Sequence, residues 1–487
     1  MKKINIIKYA FLALAVLSFS SCDDWLNNKP KGFTIPEKYE DYVQLINNQE
    51  LIIGYHNYPV YFTDDLQLLA SGTLEDCSSF DFASQDQYYQ RIYSFEHGQV
   101  FTPGESDPMW TGCYSNIFTY NAIINNVLSS SGGNDTDKKN VWAQALVGRA
   151  YEYLTLVNLY ATHYNKETAE TDYGVPLVLS EELTGEKYAR ATVADVYRQI
   201  EEDLTKAAPS LKEKAPNIYM PAQPAGYAFL ARMYLYMGEY QKALDNANIS
   251  LEKNNTLLDL TEYTTKSGTW GRIIKADGSD EEFPSLNNPE YIFARYCSHD
   301  MYLKAAVSDD LLATFKENLP EEGEDMRFRL FYSVDRFDSK KGEEFPGYTS
   351  YAPYIYTNLG FSIPETYLIA AECEARVGNV NTALKHLNDL RDMRIKNNVH
   401  FETPTTLSRE EVLKLVINER RKEFAYIGMF RLIDLKRLNR EAWFAKTITH
   451  SAGSEGTWTL EPNDLRYIMP VPENVLSFNP DMPQYEG

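Results

Sequence analysis

A turn motif that occurs twice constrains the fold of this 487-residue chain more than any other feature. Residues 238–244 and 378–384 share the pattern Gly-x-[Tyr/Val]-x-x-Ala-Leu. Before each glycine, apolar residues recur at spacings of three and four, and a similar spacing resumes after it. Because this periodicity is typical of amphipathic helices, each motif predicts a pair of helices joined at a glycine.

Both pairs resemble the tetratricopeptide pattern, in which small and large residues pack two antiparallel helices. Pro224 stands where a first helical turn tolerates proline, and Gly238 is expected to end that helix. Both glycines, Gly238 and Gly378, are predicted to adopt the left-handed conformation that closes a helix. Two further helices are predicted, over residues 142–160 and over residues 192–204, the second capped by Thr192.

Two long stretches have a different composition. Residues 50–108 and 255–362 are rich in Gly, Ser, Asp, Asn and Pro, with aromatic residues scattered through them. Loops of that length are uncommon in compact domains unless they carry function or fold as excursions of their own. The shorter polar stretch 129–137 is predicted to be a linker between two helices.

The amino terminus has the pattern of an export signal. Lys2, Lys3 and Lys8 are followed by the apolar run 10–17 and then by Cys22. The apolar run is too short to span a bilayer, so a secretory signal over residues 1–21 is expected. Small residues before a cysteine are typical of bacterial lipoproteins, which predicts lipid attachment at Cys22; an ordinary secretory signal is the alternative.

Net charge and cysteine positions further limit which partners and which cross-links the protein is expected to have. Removal of residues 1–21 takes three of the 47 basic residues and none of the 69 acidic ones, which leaves a net charge of −25. A chain this acidic, without a local basic stripe, argues against a nucleic-acid partner. The remaining cysteines are expected to be free and mostly buried, although two disulfides are arithmetically possible; they are Cys77, Cys113, Cys297 and Cys373.

A set of ordered fragments along the whole chain is similar to the SusD/RagB family of cell-surface lipoproteins from Bacteroidota. The fragments are Cys22-Asp23-Asp24-Trp25-Leu26 with Lys29-Pro30-Lys31-Gly32, Trp110 with Tyr120-Asn121-Ile123-Ile124-Asn125, Arg149-Ala150-Tyr151 with Tyr173-Gly174-Val175-Pro176, Glu419-Arg420-Arg421-Lys422-Glu423-Phe424 with Asp434-Leu435-Lys436-Arg437, Tyr467-Ile468-Met469-Pro470-Val471-Pro472, and Asn479-Pro480-Asp481-Met482-Pro483-Gln484.

The resemblance implies a mostly α fold, a tetratricopeptide-like helical-repeat scaffold with long irregular loop excursions. It implies one domain over residues 22–487, with an N-terminal portion 22–220 and a C-terminal portion 221–487. It further implies a non-enzymatic lipoprotein on the outer face of the outer membrane, which binds oligosaccharides and delivers them to a SusC-like TonB-dependent transporter. A peptide-binding lid of the RagB type is the alternative, and a carbohydrate-active hydrolase is a less favoured one.

The residues agree with binding rather than catalysis. There are seven histidines and no HExxH, GxSxG, Walker, GxGxxG or CxxC motif. Paired acids such as Glu181-Glu182 and Asp309-Asp310 are expected by chance in so acidic a chain, and the separation that a glycosidase needs is invisible in sequence. No cofactor is indicated, and a structural calcium is left open.

Aromatic residues outside the predicted helices are the best candidates for ligand contact. Sugar rings present C–H faces that stack on Trp and Tyr, while their hydroxyls need polar partners nearby. Four clusters combine these residue types and are expected to be exposed: Tyr55 and Tyr58 with His56; Tyr88, Tyr89 and Arg91; Trp270 and Arg272; and Tyr296, His299 and Tyr302.

The signature at residues 419–437 is interpreted differently. Its charges alternate in sign along helical spacing, a pattern that more often ties helices together through ion pairs than contacts a ligand. The residues concerned are Arg420, Arg421, Glu423, Arg431, Asp434 and Arg437.

Overall fold

A computed structural model describes ten stretches of the chain. They are residues 36–74, 78–96, 98–182, 187–266, 272–299, 304–333, 336–338, 343–345, 348–351 and 356–485. Fourteen α-helices lie in this described part: α1 Tyr39–Ile46, α2 Gln87–Tyr93, α3 Pro108–Asn126, α4 Asp135–Tyr160, α5 Val193–Ala207, α6 Gln223–Met237, α7 Tyr240–Lys253, α8 Asp309–Lys316, α9 Met326–Phe331, α10 Ile363–Arg376, α11 Val380–Asp392, α12 Arg409–Phe424, α13 Phe430–Leu438 and α14 Glu473–Phe478.

The strands are short and most of them lie between α7 and α10. They are β1 Ile53–His56, β2 Leu66–Gln67, β3 Tyr263–Thr265, β4 Ile273–Lys275, β5 Tyr291–Phe293, β6 Tyr296–His299, β7 Ala306–Val307, β8 Glu324–Asp325, β9 Tyr332–Ser333, β10 Arg336–Asp338, β11 Glu343–Phe345, β12 Ser350–Tyr351, β13 Phe361–Ser362, β14 Ile395–Lys396, β15 Ile448–Ser451 and β16 Thr457–Leu460. The predicted mostly α fold is confirmed.

Both predicted helix pairs are present. Helices α6 and α7 pack against each other, as do α10 and α11, and α10 also packs against α7 and α12. Gly238 closes α6 with φ of 75°, as predicted. The helix predicted to begin at Thr192 is α5, and the Thr192 hydroxyl accepts a hydrogen bond from the Asp195 amide at 3.0 Å.

The prediction of a left-handed Gly378 is wrong, because α10 ends at Arg376 with Val377 as its C-cap, and Gly378 has no positive φ. A Cβ atom at Gly378 would lie 2.0 Å from Oε2 of Glu374. That carboxylate accepts the Asn379 amide at 2.6 Å. Glycine at position 378 therefore leaves room for the Glu374 side chain, whereas Gly238 is favoured for its backbone conformation.

The two irregular stretches fold together as one layer. Strand β1 pairs in parallel with β6, with Ile53 opposite Tyr296 and His56 opposite His299. Strand β2 pairs with β7 in a four-stranded sheet of order β2-β7-β12-β9. Segments about 240 residues apart are thereby joined, and the layer that they form packs on the helices.

The charged signature at residues 419–437 anchors this layer to the scaffold, which confirms its structural interpretation. Nε of Arg420 donates to Asp434 at 3.0 Å, so α12 is tied to α13. Nε of Arg421 donates to Asp65 at 2.9 Å, and Nε of Arg431 donates to Asp64 at 2.7 Å. Both aspartates belong to the first irregular stretch, so buried ion pairs fix that stretch to α12 and α13.

Two cysteines in the described part of the chain agree with the expectation of free, mostly buried thiols. Cys113 and Cys373 are buried free thiols. Cys22 and Cys77 lie outside the described residues.

Candidate binding site

Helix α2 carries the first pair of predicted ligand-binding aromatics. Ile92 and Tyr93 lie on its buried face, while Tyr88 and Tyr89 are half-buried. The two tyrosines therefore lie on a helix and not on a loop, and the helix holds their backbones in fixed positions.

Tyr88 and Tyr89 are part of a group of stacked rings. Their own ring centroids are 4.0 Å apart. Tyr89 stacks on the buried Tyr61 at 4.4 Å, and Tyr88 stacks on the half-buried Phe101 at 5.3 Å with an interplanar angle of 25°. We call Tyr88, Tyr89 and Phe101 the α2 platform. It is a partly exposed aromatic surface with a buried aromatic layer beneath it.

Hydrogen bonds fix the layer beneath the platform. Tyr58 is buried and makes T-shaped contacts with Tyr88 and Phe101. Its hydroxyl donates to Asp107 at 2.9 Å, and the hydroxyl of Tyr160 donates to the same carboxylate at 2.5 Å. Burial raises the pKa of Asp107, while these hydrogen bonds oppose that rise. Because every ring contacts another ring or a fixed partner, the platform is preorganised.

Polar side chains surround the platform. The Tyr61 hydroxyl donates to Oε1 of Gln85 at 3.1 Å. Nη1 of Arg91 donates to the carbonyl of Val100 at 2.8 Å, and this contact holds the loop that carries Phe101. Gln87 is exposed beside them and lies within 3.4 Å of Nη2 of Arg91. Aromatic area with amide and guanidinium groups at its edge is the composition that a sugar ring requires.

The predicted exposure of the cluster at Tyr55 and Tyr58 is wrong. Tyr55 is 4% exposed and Tyr58 is 1% exposed. The hydroxyl of Tyr55 donates to Oε1 of Glu152 on α4 at 2.6 Å. Both rings fill the space between the irregular layer and the helices, which sequence could not show because the segment has no regular period.

Tyr296 is also buried, although it belongs to an aromatic group that reaches the surface. Its ring lies 5.9 Å from Tyr219 and 5.5 Å from Tyr356, and Tyr356 is 54% exposed. The pairing of β1 with β6 brings Tyr296 beside the strand of Tyr55, so two of the predicted clusters are neighbours. The side chain of His299 and all of Tyr302 lie outside the described residues.

The remaining cluster lies apart from these. Arg272 is half-buried and forms an ion pair with Glu282 next to the hairpin of β3 and β4. Trp270 lies outside the described residues. Arg272 therefore has an intramolecular partner, and the α2 platform is the best-defined aromatic surface among the predicted candidates.

Several aromatic residues near these surfaces were missed from the sequence. Phe101 and Tyr219 have no Phe, Tyr or Trp close to them in the chain, whereas Tyr61 adjoins Phe62 and Tyr356 lies two residues from Tyr354. Trp458 was missed as well, and it stacks on Phe82 at 4.9 Å. Only the fold brings these rings together, so no local signal distinguished them from core residues.

In the described part of the chain, no group of three or more His, Cys, Asp or Glu side chains is arranged to hold a metal ion. None of the helices there has the length and apolar character that crossing a membrane requires.

Comparisons with known proteins agree on one family. A family model described as starch-binding and associating with the outer membrane matches residues 24–235, and the SusD family model matches residues 363–487. A SusD-like protein P2 from Formosa agariphila is 25% identical over 98% of this chain and 99% of the relative.

Two solved structures have a similar fold. A putative sugar binding protein from Bacteroides vulgatus has a TM-score of 0.67 at 21% identity and covers 93% of this chain and 100% of its own. A SusD superfamily protein from Bacteroides thetaiotaomicron has a TM-score of 0.68 at 21% identity and covers 92% and 100%. Fold and sequence thus define a helical-repeat protein with a layer of irregular excursions. The chain belongs to the SusD/RagB family.

Proposed function

We propose that this protein is a cell-surface lipoprotein that binds oligosaccharides on the α2 platform and delivers them to a TonB-dependent transporter. The observation that supports the binding step is the stack of Tyr88, Tyr89 and Phe101 on a buried aromatic layer. Half-buried rings that are already fixed lose little conformational freedom when a sugar stacks on them.

Family membership supports an oligosaccharide as the ligand and a protein that binds it without catalysing a reaction. Members of the family are binding proteins rather than enzymes. One matching family model is described as starch-binding, and one structural neighbour as a putative sugar binding protein. In this proposal the protein binds the oligosaccharide without altering it chemically and then delivers it to the transporter.

The binding step is tested on a glycan array with the protein lacking its signal and lipid. The wild type is expected to bind at least one oligosaccharide. The Tyr88→Ala, Tyr89→Ala double variant is expected to bind that oligosaccharide more weakly, with a binding free energy reduced by roughly 1–3 kcal/mol. Trp443→Ala is the matched control, because Trp443 is 64% exposed and lies beside Lys414 of α12. Equal binding by all three proteins would contradict the platform as the site, and retention of peptides alone would favour a peptide-binding lid.

The anchoring step rests on the signal that ends at Cys22. Several acyl chains on one residue give stable membrane attachment, where a single chain is marginal. Cys22→Ala is expected to yield an exported protein that no longer takes up palmitate and leaves the outer-membrane fraction. Continued labelling in that fraction would contradict lipid attachment at Cys22.

The delivery step requires a partner. A tethered binding protein beside a pore raises the ligand concentration at its mouth, so a modest affinity suffices. Pull-down of the lipidated protein from detergent-solubilised outer membranes is expected to recover a large β-barrel transporter. Recovery of the protein alone, together with measurable glycan hydrolysis, would favour the hydrolase instead.

A further inference from the structure

Carboxylates outnumber cations in the segment that carries the α2 platform. Residues 78–107 carry five acidic side chains, a single arginine and no lysine. Asp81 and Asp107 are buried, while Asp86, Glu96 and Glu105 are exposed. The exposed charged side chains of this segment are therefore mainly negative.

Arg91, the single arginine of residues 78–107, already has hydrogen-bond and ion-pair partners within the chain. Its Nη1 donates to the carbonyl of Val100 at 2.8 Å, its Nη2 to Gln87 at 3.4 Å, and its Nε lies 3.9 Å from the carboxylate of Glu96. Arg91 thus holds the loop of Phe101 in place. Its charge is already partly compensated by Glu96, so it offers little to an anionic ligand.

Two carboxylates lie beside the platform. Asp86 is the N-cap residue of α2, and Oε2 of Glu105 accepts a hydrogen bond at 3.0 Å from the amide of Thr102, which follows Phe101. Burial raises the pKa of the Tyr88 hydroxyl, and Asp86 and Glu105 raise it further. Burial also raises the pKa of the Tyr89 hydroxyl, and Asp86 adds a smaller contribution. Hydrogen bonds from Thr102 lower the pKa of Glu105, so this carboxylate is ionised at neutral pH. The hydroxyl edge of the platform is therefore in a negative field.

We propose that the α2 platform binds uncharged oligosaccharides and excludes chains that carry uronate or sulfate groups next to the stacked rings. This inference rests on the function proposed above. Coulomb repulsion in water over a few ångströms is weak for one pair of like charges, so two exposed carboxylates together are expected to weaken the binding of an anionic chain by about tenfold.

The test uses a glycan array that contains both uncharged and anionic chains. The result expected is that the glycans retained by the wild type are uncharged. If the glycans retained most tightly are uronates or sulfated chains, the inference is overturned while the proposed function stands. If no glycan is retained, the proposed function fails and the inference fails with it.

A matched ligand pair then measures the discrimination. The uncharged oligosaccharide found on the array is compared with the same oligosaccharide after oxidation of its C6 hydroxyls to carboxylates. The oxidised chain is expected to bind at least about tenfold more weakly at low salt. Raising the salt from 50 mM to 1 M should shrink that ratio, because it screens exposed charges. A ratio near one at low salt would overturn the inference.

Charge variants assign the effect to particular residues. The Asp86→Asn, Glu105→Gln double variant is expected to regain several-fold affinity for the oxidised chain and to keep its affinity for the uncharged one. The Glu402→Gln, Glu410→Gln double variant is the control, since it removes the same charge at exposed positions near the start of α12. Equal recovery by both variants, or recovery by neither, would overturn the role of Asp86 and Glu105.

Discussion

The helical scaffold and the irregular layer are stabilised in different ways. In the scaffold, arginines are buried and paired: Arg391, Arg394 and Arg420 are among the largest fully buried side chains. In the layer, the contacts around α2 are mainly between aromatic rings. Buried ion pairs thus connect the scaffold helices, whereas the layer adds a partly exposed aromatic surface, which we propose binds the ligand.

The largest expected effect is in the scaffold. Oε2 of Glu419 accepts a hydrogen bond from Arg391 at 2.9 Å, Oε1 accepts one from Arg327, and Glu419 is 2% exposed. Glu419→Ala leaves buried guanidinium groups with too few partners and is expected to lower the free energy of unfolding by about 3–5 kcal/mol. Denaturant unfolding measures this.

An exposed ion pair on α11 is the control for that variant. Nζ of Lys385 lies 2.6 Å from Oδ2 of Asp389, and the Lys385 side chain is 70% exposed. Lys385→Ala is therefore expected to change stability by less than about 1 kcal/mol. Equal losses for the two variants would contradict a special role for buried pairs in the scaffold.

Two buried glutamates, one in the scaffold and one facing the irregular layer, are expected to make the free energy of unfolding depend on pH in opposite directions. Burial raises the pKa of Glu372, but Arg437 and Arg376 together lower it from 4.5 to about 2. Its contribution to stability is therefore present above pH 4.5 and lost as the pH falls towards 2. Glu152 faces the irregular layer, and burial raises its pKa to about 7 despite its hydrogen bond with Tyr55. Its contribution is present below pH 4.5 and lost as the pH rises through 7.

Each shift corresponds to roughly 3 kcal/mol at most. In a series of unfolding measurements across pH, Glu372→Gln is expected to flatten the acid side of the stability profile, and Glu152→Gln the neutral side. If Glu152→Gln leaves the decline between pH 5 and 8 unchanged, that carboxyl does not titrate as described.

The smallest expected effect separates the two glycines of the repeated motif. Gly238 has a positive φ and open space around it, so Gly238→Ala is expected to cost roughly 1–2 kcal/mol through backbone strain alone. Gly378→Ala should cost less than this, because the end of the Glu374 side chain can move away at the expense of its hydrogen bond to Asn379. Adding Glu374→Ala is expected to recover part of the loss at Gly378 and none at Gly238, as thermal melting would show. Recovery at both sites would contradict the distinction.

Most of the scaffold was predictable because its signals are local. The glycine that ends α6, the threonine that caps α5 and the alternating charges of α12 and α13 all follow from spacing in the chain. The start of α4 was missed, since Asn134 caps a first turn of polar residues that resembles a linker. The proposed binding surface was only partly predictable. Tyr88 and Tyr89 were candidates from the sequence, but Phe101 joins them only through the fold. Nothing local distinguishes the buried Tyr58 from the two candidates.

The central claim is that the α2 platform binds the ligand while the scaffold maintains the fold. Calorimetric titration and thermal melting of the Tyr88→Ala, Tyr89→Ala variant test it most directly, with the oligosaccharide identified on the array. The predicted result is a loss of affinity of about tenfold or more, with a melting temperature within about 2 °C of the wild type. An unchanged affinity with a clearly lowered melting temperature would show that both tyrosines belong to the core and would contradict the claim.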